Sequence, residues 1–407
     1  MKSLFLLDQN VIYLNHGSFG ACPRPVFEAY QRWQRELELQ PVLFLDRKVD
    51  ELLHTSRARL GAYLGADADD LVYFPNPTTA VNMVARSLAS PRTAFLRPGD
   101  EILTTDHEYG AMDRTWRFIC RRTGACYVQQ PIPLPVTTQE ELVERFWAGV
   151  NEHTRVIFIS HITSPTALIF PVAEICRRAR QAGLLTIVDG AHAPGQINLN
   201  LSEVGADFYT GACHKWLCAP KGAAFLYARR EVQGWLEPLV VSWGWQSERP
   251  GPSRFVDYHQ WQGTRDISAF LAVPAAIDFQ AEHDWPQVRA ECHKLLRYAR
   301  QAIGELTGLE PICPDSPEWY AQMAAFPLPA CDNVGARHRG DAPAVDEPSM
   351  SDASPLQRRL YDEYRIEAPI ISWGGRQFVR VSVQGYNTRE DVDALIESLR
   401  ALLPDAS

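Results

Sequence analysis

The sequence lacks the features of a membrane protein or a secreted one. Its apolar runs all fall short of the roughly 18 residues that a membrane-spanning helix needs. The stretch from Met1 to Asp8 meets an acidic residue after too few apolar ones for a secretory signal peptide. The nine cysteines are scattered and form no Cys-x-x-Cys pair, which favours reduced thiols. We therefore expect a cytoplasmic protein that does not bind membranes.

Basic charge and sequence repeats are also scarce. Forty basic against 49 acidic residues give a formal net charge of −9, which argues against binding to nucleic acid. The sequence has no internal period and no long low-complexity tract. The chain is long, with 407 residues of which 46% are hydrophobic. A chain of this size can bury a large core without disulfides or metals. Domains of about 150 residues would give roughly two or three structural units.

Short apolar runs alternate with helical patterns in the first part of the chain. Apolar spacing predicts helices over 26–37 and 49–64. Strands are predicted at 71–74, 101–105, 155–160, 184–188, 207–209 and 223–227. Continuous apolar strands separated by helices are typical of a mainly parallel sheet with helices on both faces. We predict an N-terminal segment over 1–20 at the mouth of the site, followed by a large α/β domain over 21–265.

The last part of the chain has a different pattern. A long amphipathic helix is predicted over 288–306, and a strand over 378–383. A final helix opens on a capping-box pattern at Thr388. We predict a smaller C-terminal α+β domain over 266–407, with a polar loop rich in proline and glycine at 335–355.

Ionisable and hydroxyl side chains follow several of the predicted strands. In open α/β sheets, ligands bind beyond the carboxyl ends of the strands. The segments at those positions are Asn76-Pro-Thr-Thr79, Asp106-His107, Ser160-His161, Asp189-Gly-Ala-His192 and His214-Lys215. The sequence therefore predicts a functional site at this edge of the sheet.

Lys215 and Asp189 could form the reactive centre of that site. A solvated loop lysine is the plainest interpretation of Lys215, but partial desolvation would lower its pKa and let it form a Schiff base. Asp189 ends a predicted buried strand, where it could cap a helix, bind a metal or keep a pyridinium nitrogen protonated. The interval between the two residues has room for one helix and one strand.

The turn that leads from a predicted strand into the helix at Ala80 could bind a phosphate. Free amides at a helix N-terminus and the hydroxyls of Thr78 and Thr79 converge there. On another strand end, His107 has a planar ring that could stack on an aromatic cofactor. A histidine in a surface loop would look the same in the sequence.

In their order and spacing, these motifs resemble those of the fold-type I pyridoxal-phosphate enzymes. The nearest branch is the class V aminotransferase group, which also holds the cysteine desulfurases. Four further segments resemble the isopenicillin N epimerase-like subgroup, namely Tyr13-Leu-Asn-His-Gly-Ser-Phe-Gly20, Ser160-His-Ile-Thr-Ser-Pro-Thr166, Gln260-Trp-Gln-Gly-Thr-Arg-Asp266 and Tyr386-Asn-Thr388. The resemblance covers nearly the whole chain, and it implies a large domain with a mainly parallel sheet and a small C-terminal α+β domain.

The resemblance also implies a role for each matching residue. Lys215 would hold pyridoxal 5'-phosphate as a Schiff base, Asp189 would pair with the ring nitrogen, and His107 would stack on the ring face. Other contacts with the cofactor would come from Thr78, Thr79 and His214 at the phosphate, His192 at the phenolic oxygen, and Thr264 at the phosphate of the neighbouring subunit. The active unit would therefore be a homodimer.

An amino acid substrate would bind through its carboxylate. The resemblance implies that Arg380 clamps this group, and the bidentate geometry of a guanidinium suits it. An outward-facing strand arginine is the alternative for Arg380 from the sequence alone. Asn15, His16 and Gly17 would line the substrate mouth.

Three departures separate the chain from the cysteine desulfurases. Ala212 replaces a serine, and Ser164 replaces an asparagine, so the cofactor contacts at Ser164 would be rearranged. The loop predicted over 367–375, before the final strand, contains no cysteine. Without a thiolate there, transfer of sulfur from the substrate to the enzyme is disfavoured.

The chemistry that the resemblance implies begins when the free amine of Lys215 removes the Cα proton of an amino acid. Return of a proton to the opposite face gives an epimerase, loss of a β-thiolate gives a cysteine or cystine C–S lyase, and protonation of the cofactor gives an aminotransferase. We favour the epimerase because the resemblance is nearest to that subgroup.

A metal-dependent hydrolase and a non-catalytic binding scaffold are alternatives, but both leave Lys215 without a function. The metal ligands would be His161, Asp189, His192 and His214, which lack a His-x-x-x-His spacing.

Overall fold

The computed structural model describes residues 1–329 and 353–403, which form three β-sheets with helices around them. The strands are β1 (Ile12–Tyr13), β2 (Leu71–Phe74), β3 (Glu101–Thr105), β4 (Cys126–Gln130), β5 (Thr154–Ser160), β6 (Leu185–Asp189), β7 (Phe208–Ala212), β8 (Ala224–Ala228), β9 (Met323–Leu328), β10 (Ile366–Glu367), β11 (Ile370–Trp373) and β12 (Arg376–Ser382). The helices are α1 (His16–Phe19), α2 (Arg24–Leu39), α3 (Val49–Leu64), α4 (Pro77–Leu88), α5 (Gly110–Thr123), α6 (Gln139–Trp147), α7 (Val172–Gln181), α8 (Leu201–Val204), α9 (Arg230–Gln233), α10 (Arg254–Gln260), α11 (Ser268–Leu271), α12 (Val273–Glu282), α13 (Trp285–Thr307), α14 (Pro355–Tyr364) and α15 (Arg389–Leu402). The strands and helices predicted from apolar spacing are all present, with bounds shifted by a few residues.

The largest sheet has seven strands in the order β2-β8-β7-β6-β5-β3-β4. The neighbours from β7 to β4 are all parallel, whereas β8 is antiparallel to both β7 and β2. The predicted mainly parallel sheet is therefore confirmed, and β8 is the strand that opposes the rest. The sequence interpretation missed β4, whose residues are half-buried or exposed at the edge of the sheet.

Both faces of this sheet are buried, which explains why its strands are continuously apolar. Along β5, Val156 and Phe158 belong to the core on one face, and Ile157 and Ile159 belong to the core on the other. Trp116 of α5 packs on Phe158, with 5.5 Å between the ring centroids. The two cores hold the strand ends in place, and with them the polar side chains that follow the strands.

The C-terminal part contains an antiparallel sheet in the order β11-β12-β9. The capping box at the start of α15 is present as predicted, with Thr388 and Asp391 bonding each other's backbone amides. The prediction of a loop over 367–375 was wrong in part, because Ile370–Trp373 forms β11. Pairing with β12 satisfies the backbone of this short strand, and local sequence does not reveal that partner.

The N-terminal segment lies beside the C-terminal part of the chain. β1 pairs in parallel with β10, and the amide of Ser382 donates to the carbonyl of Leu14. The domain bounds at residues 20 and 265 stay predictions, and α2 and α3 pack against α11 and α12 beyond the second bound. Most of the predicted loop over 335–355 lies outside the described residues. Within the described ranges, no helix has the length and apolar character needed to cross a membrane.

Candidate active site

A cavity of about 310 Å³ opens at the carboxyl ends of the parallel strands. The lining includes predicted site residues, which are Thr78, Ser164, Asp189, His192, His214 and Lys215. It also includes residues that were not predicted, among them Ser18, Phe19, Asn76, Tyr109, Met112 and Ser160. The fold thus brings together side chains from several strand ends in a space large enough for a small ligand.

Asp189 ends β6 as a buried carboxylate on the cavity wall. Its Oδ1 accepts a hydrogen bond of 2.9 Å from the amide of Ala191. Burial raises the pKa of Asp189, and the nearby Lys215 ammonium opposes that rise. The space beside Gly190 belongs to Tyr209, because a Cβ on that glycine would lie 2.1 Å from the tyrosine hydroxyl. Gly190 is therefore small because Tyr209 packs on it, and a flat ligand would have to lie elsewhere in the cavity.

Lys215 follows β7, and its amine is enclosed by the fold. Its Nζ lies 3.3 Å from Nε2 of His192. Burial lowers the pKa of Lys215 to about 8, with Asp189 opposing the change and Arg380 adding to it. A lysine with this pKa has a substantial neutral fraction near pH 8, so its amine can act as a nucleophile or a base.

The N-terminus of α4 forms one wall of the cavity. Asn76 caps the helix by accepting hydrogen bonds from the amide and the hydroxyl of Thr79, at 2.8 and 3.0 Å. Thr79 is thereby held by the cap, while Thr78 lies on the cavity surface. His214 also lines the cavity, and its Nδ1 lies 2.8 Å from the carbonyl oxygen of Ala223. Helix amides and a hydroxyl make this wall suitable for a phosphate.

Arg380 is a buried cation, and its hydrogen bonds within the described residues go to Ser164 and Ser18 and to no carboxylate. Its Nη1 donates to the carbonyl of Ser164 at 2.6 Å, and its Nη2 donates to Oγ of Ser18 at 2.9 Å. Its Nε is buried and has no hydrogen-bond partner. Burial lowers the pKa of Arg380 to about 10. Because an unpaired buried charge is costly, this guanidinium, directly behind two cavity residues, calls for an anionic ligand.

His107 does not line the cavity, contrary to the expectation that it would stack on a cofactor. It is fully buried, with Nε2 2.7 Å from the carbonyl of Ile132 and Nδ1 2.7 Å from the hydroxyl of Thr166. Its ring packs on Trp373 of β11 at 4.2 Å. Tyr109, two residues further on, lines the cavity instead. Both side chains are planar, and the sequence does not show which way the turn after β3 directs each of them.

The N-terminal residues expected at the substrate mouth lie behind it. His16 is fully buried, with Nδ1 3.0 Å from the Tyr386 hydroxyl and Nε2 3.1 Å from the Lys215 carbonyl. A Cβ on Gly17 would lie 2.7 Å from a side-chain atom, and Asn15 donates to a carboxylate outside the cavity. The residues that reach the cavity from this segment are the next two, Ser18 and Phe19.

A buried carboxyl group near Asp189 was also missed. Glu108 accepts hydrogen bonds from the hydroxyls of Thr105 and Ser160, at 2.7 and 2.5 Å. Burial raises its pKa to about 7, and the charge of Asp189 adds to the rise. The signal in the sequence was an acidic residue directly after His107, at the end of a predicted strand.

The four residues of the metal alternative have other partners. His161 contacts the Tyr209 hydroxyl at 2.8 Å through Nδ1, and His192 faces Lys215. Over residues 1–329 and 353–403, no group of three or more His, Cys, Asp or Glu side chains is arranged to hold a metal ion.

Thr264 is exposed and does not line the cavity of its own chain.

Comparison with known proteins identifies the family. The family described as Aminotransferase class-V matches residues 12–395. The chain belongs to this family. It is 37% identical to isopenicillin N epimerase of Amycolatopsis lactamdurans, over 97% of this chain and 96% of the relative. It is 30% identical to a probable chloroplastic L-cysteine desulfhydrase of Arabidopsis thaliana, over 98% of this chain and 84% of the relative.

Solved structures share the fold of this class V protein. The cysteine desulfurase CsdA of Escherichia coli superposes with a TM-score of 0.76 at 23% identity, covering 99% of this chain and 98% of that one. A C-DES variant with glycine covalently linked to its PLP cofactor superposes with a TM-score of 0.76 at 20% identity, covering 97% of both chains. The predicted fold-type I architecture is thus confirmed. Membership of the class V family, with its epimerase and desulfhydrase relatives, makes the protein a pyridoxal-phosphate-dependent enzyme.

The residues of the cavity fit pyridoxal 5'-phosphate. A buried carboxylate, an amine with a lowered pKa and a helix N-terminus meet around one space, and each matches a different group of that cofactor. When bound, the cofactor withdraws electrons from the Cα of an amino acid and so acidifies its Cα proton. The protein supplies the orientation and the proton transfers.

Proposed function

We propose that this enzyme epimerises an α-amino acid centre, as an isopenicillin N epimerase-like member of the class V family. The substrate would be an amino acid or a peptide-like molecule with a free amino acid head. The observation that carries the proposal is that two proton-transfer groups line one cavity from different strand ends, Lys215 after β7 and Tyr109 after β3, with Asp189 at the end of β6. The 37% identity to two isopenicillin N epimerases supports the same choice.

The cofactor contacts follow from the cavity wall. Lys215 would attach the cofactor, Asp189 would keep its ring nitrogen protonated, and His192 would donate to its phenolic oxygen. Thr78, the helix amides and His214 would bind the phosphate, with Thr79 held by the Asn76 cap behind them. Ser164 would act mainly through its backbone carbonyl, which accepts a hydrogen bond from Arg380, and less through contact with the cofactor ring.

Arg380 would orient the substrate by binding its carboxylate. The guanidinium is held by Ser18 and Ser164, and no carboxylate in residues 1–329 or 353–403 pairs with it, so a substrate carboxylate would balance its charge. Phe19 and Met112 line the same cavity and offer apolar surface to the substrate side chain. We propose that these apolar groups, with Tyr109, take the place we expected for Asn15, His16 and Gly17.

Epimerisation requires that a proton leave one face of Cα and another arrive on the opposite face. Lys215 follows β7 and Tyr109 follows β3, while β6 and β5 lie between them with Asp189 and Ser160 at their ends. We propose that a flat ligand paired with Asp189 has the lysine on one face and the tyrosine on the other. Lys215 would remove the proton and the Tyr109 hydroxyl would supply the second one, with the roles exchanged in the reverse direction.

The competing reactions within the family are elimination of a thiolate and transamination. Desulfhydrase relatives at 30% identity keep the first of these open. Transfer of sulfur to the enzyme is disfavoured, because no cysteine lines the cavity as described and burial raises the pKa of Cys213, beside Lys215. Either competing reaction would release a thiol or a keto acid.

The proposal is tested with the holoenzyme and a panel of amino acids in deuterated water. We expect Cα deuterium incorporation together with inversion of configuration, without stoichiometric release of a keto acid or thiol. Release as the main outcome would replace the epimerase with a lyase or an aminotransferase. Borohydride reduction, which should fix the cofactor to Lys215 and abolish the visible band, verifies the attachment independently of the substrate.

We also propose a homodimer in which Thr264 reaches the partner's phosphate. Thr264 is exposed, and the same stretch of chain carries the exposed apolar residues Val241 and Trp243, which are 66% and 87% accessible. Sedimentation should show a dimer that Trp243→Asp weakens, and a monomeric wild-type enzyme would refute it.

Eight unpaired cysteines among the described residues agree with our proposal of a cytoplasmic location.

A further inference from the structure

Trp216 is the residue after Lys215, and it is fully buried. Its indole Nε1 donates to Nδ1 of His192 at 3.3 Å. Its ring lies 4.9 Å from that of His16, and its carbonyl accepts a hydrogen bond of 2.9 Å from Gln280. A Cβ on Gly195 would lie 2.3 Å from the same carbonyl oxygen. Packing on several sides therefore fixes where the indole N–H points.

The direction of this hydrogen bond determines where His192 carries its proton. An indole N–H can only donate, so Nδ1 of His192 must be the acceptor and cannot hold a hydrogen. The charged form is disfavoured because the ring is buried and because Lys215 and Arg380 are both cationic, which keeps the pKa of His192 well below its usual range. His192 is then neutral, and its one hydrogen is on Nε2.

The fixed Nε2–H faces the reactive amine. Nε2 lies 3.3 Å from Nζ of Lys215, and an ammonium group has only donors. Two donors face each other when Lys215 is charged, whereas a neutral amine can accept the imidazole hydrogen. This tautomer of His192 therefore favours the neutral form of Lys215.

We propose that Trp216 is a positioning residue that fixes His192 as a neutral Nε2–H donor directed at Lys215 and at the oxygen of the bound cofactor. The part that concerns the cofactor rests on the proposed function, whereas the tautomer and its effect on the amine do not. In the absence of the indole, His192 would be free to move its proton to Nδ1. Its Nε2 would then accept from a charged Lys215 and stabilise the ammonium.

The tautomer is read directly by nitrogen-15 NMR of histidine-labelled enzyme, with and without bound cofactor, with His192→Gln identifying the signal. We expect Nε2 to show the shift of a protonated ring nitrogen and Nδ1 that of an unprotonated one. Trp216→Phe should mix the two tautomers. A His192 with its hydrogen on Nδ1 in the wild type would overturn the proposal without any need for a variant.

The effect on the amine is read from the pH dependence with which cofactor-free enzyme captures added pyridoxal phosphate, a step that joins the amine to the aldehyde and expels one water. In Trp216→Phe, the midpoint should rise by about one pH unit, the size expected for one hydrogen bond. Trp116→Phe is the matched control, because Trp116 is also fully buried and its indole nitrogen has no partner. The control should leave the midpoint unchanged.

A double variant separates positioning from packing. In a His192→Gln background, Trp216→Phe should no longer shift the capture midpoint, because the glutamine amide has no tautomer to fix. An equal shift in both backgrounds would show that Trp216 acts by packing alone and would overturn the proposal. These measurements use no substrate, so they stand even if the enzyme fails to epimerise any amino acid.

Discussion

Arg380 and Ser18 are 362 residues apart in the sequence, yet Nη2 of the arginine donates to the serine hydroxyl at 2.9 Å. Ser18 in turn donates to Oδ1 of Asn15 at 2.6 Å, and Asn15 donates to Glu367 at 3.2 Å. Neutral groups therefore position the guanidinium. In this series of hydrogen bonds, the carboxylate of Glu367 is linked to it only through Ser18 and Asn15. Such an arrangement holds the cation in place without neutralising it.

Arg380→Lys should raise KM for an amino acid substrate by roughly ten- to a hundredfold, with a smaller effect on kcat. The lysine keeps the charge but loses the bidentate geometry that suits a carboxylate. Steady-state kinetics measures both constants. Arg376→Lys, on the same strand but exposed, is the control and should change neither constant. An unchanged KM in Arg380→Lys would remove Arg380 from substrate binding.

Lys215→Ala should abolish the covalent attachment of the cofactor and lower Cα deuterium exchange by at least about a hundredfold, the contribution of a general base. The visible band that borohydride bleaches in the wild type should no longer respond to reduction. Lys221→Ala is a suitable control, because Lys221 is nearby and bonds a backbone carbonyl instead of lining the cavity. Exchange at the wild-type rate in Lys215→Ala would contradict the mechanism.

The sequence was sufficient to predict six strands of the large sheet, β2, β3 and β5 to β8, because apolar continuity marks them directly, but it missed β9, which is buried along its whole length. It was not sufficient for β4 and β11, which lie at sheet edges and are only partly buried. In the site, strand ends placed Asp189 and Lys215 at the cavity, as predicted. The sequence could not show that Tyr109 lines the cavity and His107 does not, since the direction of a side chain in a turn depends on contacts such as that of His107 with Trp373.

The same limit applies to the N-terminal motif. Asn15, His16, Gly17 and Ser18 are adjacent in sequence, but a short helix directs only the last of them to the cavity. His16 instead supports the Lys215 carbonyl from behind. The role of Arg380 followed from the family resemblance, whereas only the folded chain shows that it has no carboxylate partner in the part that the structure describes.

Tyr109→Phe should separate proton exchange from inversion. The aromatic ring stays, so cofactor binding should be retained, but the hydroxyl that would donate on the second face is lost. We expect the rate of inversion to fall by about a hundredfold or more, while deuterium still enters Cα with retention of configuration from the Lys215 side. Chiral chromatography with mass spectrometry measures both products. His107→Gln, which alters a residue outside the cavity, should leave the ratio of exchange to inversion unchanged.

Equal loss of exchange and inversion in Tyr109→Phe would mean that the hydroxyl is needed before Cα deprotonation. That outcome would remove Tyr109 as the second proton donor. Tyr364→Phe is a control for the chemical change itself, since Tyr364 is exposed at the end of α14.

Glu108 should make the stability of the protein depend on pH. Its pKa rises from 4.5 to about 7 in the fold, so the folded state binds a proton more tightly than the unfolded state does. The stability from this group is therefore complete below about pH 4.5 and is lost as the pH rises to about 7. Glu108→Gln, which stays neutral, should remove this dependence and raise the free energy of unfolding at pH 8 by about 1–3 kcal/mol.

Denaturant unfolding at pH 5 and pH 8 measures the effect of Glu108→Gln. The stabilisation should appear at pH 8 and be much smaller at pH 5, because at pH 5 the wild-type carboxyl is already mostly protonated in the folded state. Glu231→Gln, an exposed carboxylate, should show no such difference. Destabilisation by Glu108→Gln at pH 8 would mean that the hydroxyls of Thr105 and Ser160 hold a charged carboxylate, with a pKa below the range that burial implies.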